Sequence, residues 1–181
     1  DFLGDAANYG VSLLVLAMGG AARYAWANRI AITELVRAGL RQVLGTEHSR
    51  VVVDVSHNVV LQEQGMNIHR KGATPAHAGK LALIPGSMGD YSFVVAGLGH
   101  PDWLWSCSHG AGRSVRRQVM RHQVAAKQDS LPFECITLKP ERLREEAPQA
   151  YKAVKPVIAA QQAAGLIEPV ARLKPWFTFK A

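Results

Sequence analysis

The chain has 181 residues, 48% of them apolar, and a formal charge of +7 at pH 7. That length can hold a sizeable core, and that apolar share excludes a disordered chain. The positive balance favours anionic partners such as nucleotides or nucleic acid, and the two cysteines, Cys107 and Cys135, exclude a secreted disulfide framework and predict a reduced, cytoplasmic protein.

Residues 2–44 are rich in Ala and Leu and contain no proline. Ala22, Trp26, Ile30, Leu35 and Val36 fall at roughly helical spacing, which predicts one or two long helices, broken near Gly19-Gly20. The apolar run 9–22 is interrupted by glycines and is too short for a membrane span, so a buried helix and no membrane partner are expected. The abrupt start at Asp1 inside an apolar pattern reads as a fragment of something larger.

Residues 51–55 are a β-branched run that predicts a buried strand ending at Ser56-His57-Asn58. Further strands are expected over 59–63, 81–84 and 91–96, with residues 66–70 between them. Residues 113–126 predict a helix, 133–138 a strand, and 140–143 a turn into a short helix. A helical pattern covers 150–164 and is stopped by Gly165. Residues 170–179 predict a terminal strand, with Pro175 at an edge or bend. The expected class is α+β: mixed sheets with packed helices.

Polar groups gather where these strands end. His57 follows Asp54 and can ligate a divalent metal through one ring nitrogen, or be a satisfied structural histidine. His69-Arg70-Lys71-Gly72 suits phosphate or a plain basic turn. Residues 85–92 make a compact loop with two glycines and the hydroxyls of Ser87 and Ser92, without the pattern of a P-loop or a dinucleotide fold. Such loops can wrap a nucleotide or simply close a hairpin.

Ser108-His109-Gly110-Ala111-Gly112-Arg113 is the strongest signal. A neutral imidazole can attack phosphorus, small residues let backbone N–H groups approach a phosphate, and arginine can neutralise its oxygens. His109 is read as nucleophile or general base, with metal ligation and a structural role as competitors. Arg116, Arg117, Arg121, His122 and Lys127 follow closely, as a basic face for a polyanion or a solvated helix surface would. Lys180 is close to the terminus, where Trp176, Phe177 and Phe179 could pin it into the core or leave it frayed.

Taken in order, these stretches resemble the RtcB family of GTP-dependent RNA ligases. The resemblance rests on 22–29, Asp54-Val55-Ser56-His57-Asn58, His69-Arg70-Lys71-Gly72-Ala73-Thr74, the 84–89 loop and 108–113. Glu146-Ala147-Pro148 with Tyr151-Lys152, then 171–175 and Lys180, complete the series. It implies the C-terminal portion of a single RtcB-like catalytic domain over 1–181. The implied activity joins RNA 3′-phosphate or 2′,3′-cyclic phosphate ends to 5′-hydroxyl ends, using GTP and Mn²⁺ through a histidine–GMP intermediate.

By that resemblance His109 carries GMP and His57 binds manganese. Asn58, Ser87, Ser92, Gly110, Ala111 and Gly112 surround the nucleotide, with Tyr151 and Lys180 near the guanine. The family's DxGCGM and GxxNHF-type stretches, which supply further metal ligands, are absent from this chain, and Asp90 stands where small or hydroxyl residues are common. The remaining ligands are therefore expected from a missing N-terminal region, and the isolated chain is expected to be inactive. RNA ends, from tRNA or other cleaved RNA, are the implied partners. A non-catalytic RNA- or nucleotide-binding remnant and a metal-dependent phosphoesterase are the competing readings.

Overall fold

A computed structural model describes residues 20–45, 48–122 and 133–180. The helix expected over 2–19, and residues 123–126 of the helix expected after Arg113, lie outside the described residues. The described chain has a mixed α+β architecture, in which helices pack on small sheets. It divides into two compact units. One holds the described residues up to Val52 together with Val59–His69; the other holds Val53–Asn58 and the residues from Arg70 onward.

The first unit contains helix α1 (Gly20–Leu44). Its alanines, leucines and arginines favour the helix, and Arg37 ties its last turns to Ser49 through Nε at 2.9 Å. Tyr24, Leu35 and Val43 are exposed on it by 73% or more. Strands β1 (Asn58–Glu63) and β2 (Met66–Lys71) form a hairpin. Its turn residues, Gln64 and Gly65, have φ of +50° and +76°, the left-handed pair that a tight two-residue hairpin requires.

The second unit is built on the antiparallel sheet β4–β5–β8, made of β4 (Leu81–Ile84), β5 (Ser92–Gly97) and β8 (Ile167–Leu173). Burial alternates along β4 and β5, as a sheet with one packed face demands. Ile84, Val95 and Ile167 on the sheet join Val154 and Ile158 in one core. Truncating a side chain as buried as Ile84 removes about 2–5 kcal/mol. Pro169 is accommodated because β8 is an edge strand whose register shifts beside it.

Helix α4 (Val154–Ala163) follows, with Val154, Ile158 and Gln161 buried at i, i+4 and i+7. Two short strands, β3 (Ala73–Pro75) and β6 (Ser106–Ser108), pair antiparallel with Ala73 opposite Ser108. Helices α2 (Arg117–Arg121) and α3 (Glu141–Glu145) pack together. Strands β7 (Glu134–Thr137) and β9 (Phe177–Lys180) pair in parallel.

Three expectations need correction. Residues 51–55 form no strand; Val51 and Val52 are exposed, and a β-branched run without a ladder partner stays an extended connector. His57 therefore precedes a strand rather than ending one. Residues 113–116 are not helical, because the Ser114 and Val115 N–H groups donate to the Ala150 carbonyl instead. The 150–164 helix begins only at Val154, since Tyr151 bridges to Arg113. At the tail, where pinned and frayed readings were both open, Trp176, Phe177 and Phe179 do not pin the segment into the core. They are exposed and contact one another, and backbone pairing with β7 holds the segment. Among the described residues, no helix is long and apolar enough to cross a membrane.

Candidate functional site

The site is organised around the backbone of Gly72. Its N–H donates to the His57 carbonyl at 3.0 Å, and its carbonyl accepts the His109 N–H at 3.1 Å. Gly72 has φ of +70°, a conformation that L side chains adopt only at a cost. This single residue brings two segments 52 positions apart in sequence into register. The imidazoles of His57 and His109 stack with ring centroids 4.2 Å apart and an interplanar angle of 18°.

The loop after β6 is fixed from two further sides. Gln161 of α4 accepts the Ser108 N–H through Oε1 at 2.7 Å, and its Nε2 donates to the Val157 carbonyl. The Ser108 hydroxyl donates to the Gly110 carbonyl at 2.6 Å. Ala111 packs on the main core, and Gly112 turns the chain with φ of +71°. His109 thus projects from a short backbone held by sheet, helix and glycine contacts.

Burial pushes the His109 imidazole below its ordinary pKa, and the like charge of a protonated His57 adds to the effect. The neutral ring, with a free lone pair, is the favoured form at neutral pH. Cys107, immediately before Ser108, is different. Burial pushes its thiol up to about 11 against the opposing pull of Arg70, so it stays a protonated core residue at neutral pH.

The 85–92 loop lies against the histidine loop, since a Cβ on Gly110 would stand 3.5 Å from the Pro85 carbonyl oxygen. Gly86 is obligatory there: a Cβ would come within 2.2 Å of the Tyr91 carbonyl oxygen. Ser92 accepts the Gly86 N–H through its hydroxyl at 3.2 Å, and the Ser87 carbonyl accepts the Asp90 N–H at 3.0 Å. The Asp90 carboxylate accepts the Val154 N–H at 3.1 Å, which ties this loop to the start of α4.

Arg113 behaves differently from its expected role. Its Nε donates to the Val115 carbonyl, Nη1 to the Tyr151 hydroxyl at 3.0 Å, and Nη2 to the Glu145 carbonyl at 2.5 Å. Its guanidinium lies 4.8 Å from the Tyr151 ring centroid. These contacts turn it inward as a clamp rather than outward to phosphate. Glu145, 1% exposed, accepts hydrogen bonds from Arg121 and from Arg142 Nη1 at 3.0 Å. Burial would raise the Glu145 carboxyl, but these two arginines outweigh it and hold it below the usual range.

The fold brings His57, Gly72 and His109 together, sets the loop carrying Ser87 and Ser92 against Gly110, and bridges Arg113 to Tyr151. Asn58 opens β1 beside His57 with an exposed side chain. Ser87 belongs to the neighbouring loop, and Lys180 sits opposite Thr137 in β9. The linking role of Gly72 and the anchors Gln161 and Glu145 were missed. Gln161 had a legible signal, a polar residue on the i, i+4, i+7 apolar face of a helix. For manganese the donor set is incomplete: among the described residues no group of three or more His, Cys, Asp or Glu could hold a metal.

The family described as tRNA-splicing ligase RtcB matches residues 11–181. The chain belongs to the RtcB family. It is 42% identical over 140 residues to the RNA-splicing ligase RtcB2 of Escherichia coli, covering 71% of this chain and 37% of that protein. It is 38% identical over 185 residues to the RNA-splicing ligase RtcB of Mycobacterium tuberculosis, covering 88% of this chain and 43% of the relative. With the tRNA-splicing ligase RtcB of Pyrococcus furiosus the figures are 35% over 192 residues, 88% and 20%. The chain thus spans less than half the length of these relatives.

Proposed function

We propose that this chain is the C-terminal part of a cytoplasmic, GTP- and Mn²⁺-dependent ligase. The enzyme joins RNA 3′-phosphate or 2′,3′-cyclic phosphate ends, from tRNA or other cleaved RNA, to 5′-hydroxyl ends. The observation that carries the reading is the half-buried His109 imidazole, kept neutral and fixed at the head of a glycine-rich loop. A ring nitrogen of His109 attacks the α-phosphorus of GTP. A P–N bond forms, the α–β phosphoanhydride bond breaks, and pyrophosphate leaves. A 2′,3′-cyclic end is first opened by water to the 3′-phosphate; the P–N bond then breaks as GMP passes to that phosphate, and the 5′-hydroxyl displaces GMP as the phosphodiester forms.

In this reading Asn58, Ser87, Ser92, Gly110, Ala111 and Gly112 line the phosphates, and Tyr151 and Lys180 flank the guanine. His57 contributes one metal ligand. Manganese, when bound, offsets charge at phosphorus. The described residues do not complete its donor set, so the other ligands are assigned to the rest of the ligase, in keeping with the short span of the relatives covered here.

The test is transfer of label from [α-³²P]GTP to the full-length protein with Mn²⁺. Wild type is expected to take up one GMP and H109A none. Adduct in H109A overturns the nucleophile assignment. Nucleotide binding without adduct in wild type supports the non-catalytic reading, and phosphate release without GTP supports the phosphoesterase.

A further inference from the structure

Glu146 sits between the two segments assigned to the nucleotide. Its side chain is 12% exposed and carries three contacts on one carboxylate. Oε2 accepts the Tyr151 hydroxyl and lies 3.4 Å from Arg113 Nη1; Oε1 accepts Arg117 Nε at 3.1 Å. Arg113 Nη1 also donates to the Tyr151 hydroxyl, which closes a three-membered ring of carboxylate, phenol and guanidinium.

The backbones of the same two segments are stitched together. Arg113 and Tyr151 form an antiparallel bridge, and the Lys152 N–H donates to the Gly112 carbonyl at 3.1 Å. Backbone pairing fixes where Tyr151 begins; it does not fix where its ring points. Glu146 and Arg113 do that, through their contacts to the phenol oxygen. Burial would raise the Glu146 carboxyl, but the Tyr151 and Arg117 hydrogen bonds and the Arg113 charge hold it down, so it remains an anionic acceptor.

We propose that Glu146 is a positioning residue for nucleotide binding: its carboxylate locks the Tyr151 ring and the Arg113 guanidinium in one arrangement before nucleotide enters. The inference rests on the ligase reading above, in which Tyr151 flanks the base. A ring locked in advance loses little freedom on binding, so Glu146 acts on nucleotide affinity and leaves the attack by His109 alone.

The test measures GMP adduct formation by full-length protein across a GTP titration, for wild type, E146A, E146Q, Y151F and E146A/Y151F. E146A is expected to raise the half-saturating GTP concentration about tenfold while the saturating rate stays within about threefold. E146Q keeps an acceptor for the phenol and should recover part of that loss. The double variant should be no worse than E146A, because both changes release the same ring.

An unchanged half-saturation, a fall in saturating rate alone, or losses that multiply in the double variant each overturn the proposal. Should E146A fail to fold, E146Q and Y151F decide the matter: Y151F must raise half-saturation and E146Q must not exceed it. Wild type that forms no adduct overturns the ligase reading and this inference with it. Wild type that forms adduct with E146A unchanged overturns this inference alone.

Discussion

Two regions flank the same short loop and are built on opposite terms. On one side stand the His57 and His109 imidazoles, stacked face to face, with no hydrogen bond to either ring among the described residues. On the other, Arg113, Arg117, Arg121 and Arg142 meet Glu145, Glu146 and Tyr151 in a network of hydrogen bonds and ion pairs. Among the described residues the hydrogen bonds that fix these histidines come from their backbones and none comes from a ring nitrogen. The protein uses its charged side chains to hold the walls. A nucleophile needs a free lone pair, whereas a scaffold needs saturated partners. The difference predicts that histidine substitutions change the rate of attack with little change in stability, and that network substitutions change stability or nucleotide affinity and spare that rate.

The largest effect belongs to His109. H109A should lower GMP adduct formation by about 1,000-fold or more, since no other imidazole occupies that loop. Its unfolding free energy should change by about 1 kcal/mol or less, because the ring makes no hydrogen bond among the described residues. Urea unfolding of the full-length protein checks the second half. A large stability loss in H109A would break the comparison at its centre. H57A comes next: Mn²⁺ affinity of the full-length protein, read by electron paramagnetic resonance, should weaken about 10- to 100-fold. Unaltered Mn²⁺ binding would remove His57 from the metal site.

Glu145 tests the other side. E145Q keeps the shape and removes the charge that Arg121 and Arg142 face, at a cost of about 1–3 kcal/mol, the lower end reflecting how exposed both arginines are. The pH dependence has a defined sign. The Glu145 carboxyl is held below its ordinary 4.5 in the folded protein, so its contribution is present above that value and is lost as pH falls through the lower, folded pKa. Wild type should therefore lose stability over E145Q in that acid range, and the two unfolding curves should converge. A gap that stays constant from pH 7 down to pH 3 would show that the carboxylate charge is not what stabilises α3.

The residues of the candidate site were legible in the sequence because they fall in short runs. His109 between Ser108 and Gly110, and His57 before Asn58, are local patterns. The connections were not legible, because they run between distant segments through backbone atoms or through residues with many uses. Gly72 looked like the end of a basic turn, and nothing local said that its peptide groups face two histidines. Arg113 looked like a phosphate ligand, and only the fold shows its donors spent on Val115, Tyr151 and Glu145. In the fold, the short apolar runs 81–84 and 91–96 were legible as strands, while their pairing with β8 was not. The three-residue strands β3 and β6 were too short to show a period, and the 51–55 run had strand composition without a partner.

Gly72 sets the finest test, since it belongs to the histidine side yet acts only through geometry. A Cβ there would meet nothing closer than His109 Cδ2 at 4.0 Å, so alanine fits the space. The cost is conformational: at φ of +70° an L residue other than Asn or Asp pays about 1–2 kcal/mol. If G72A relaxes away from that φ, the hydrogen bonds to His57 and His109 part, and the stacked pair is populated roughly 5- to 30-fold less. Adduct formation should fall by that factor, with His109 still present. G72N tolerates the left-handed region and should recover much of the rate. Equal losses in G72A and G72N would mean that side-chain bulk matters there. No loss in either would mean that the histidines hold their places without Gly72, leaving their backbone tether without a role in the chemistry.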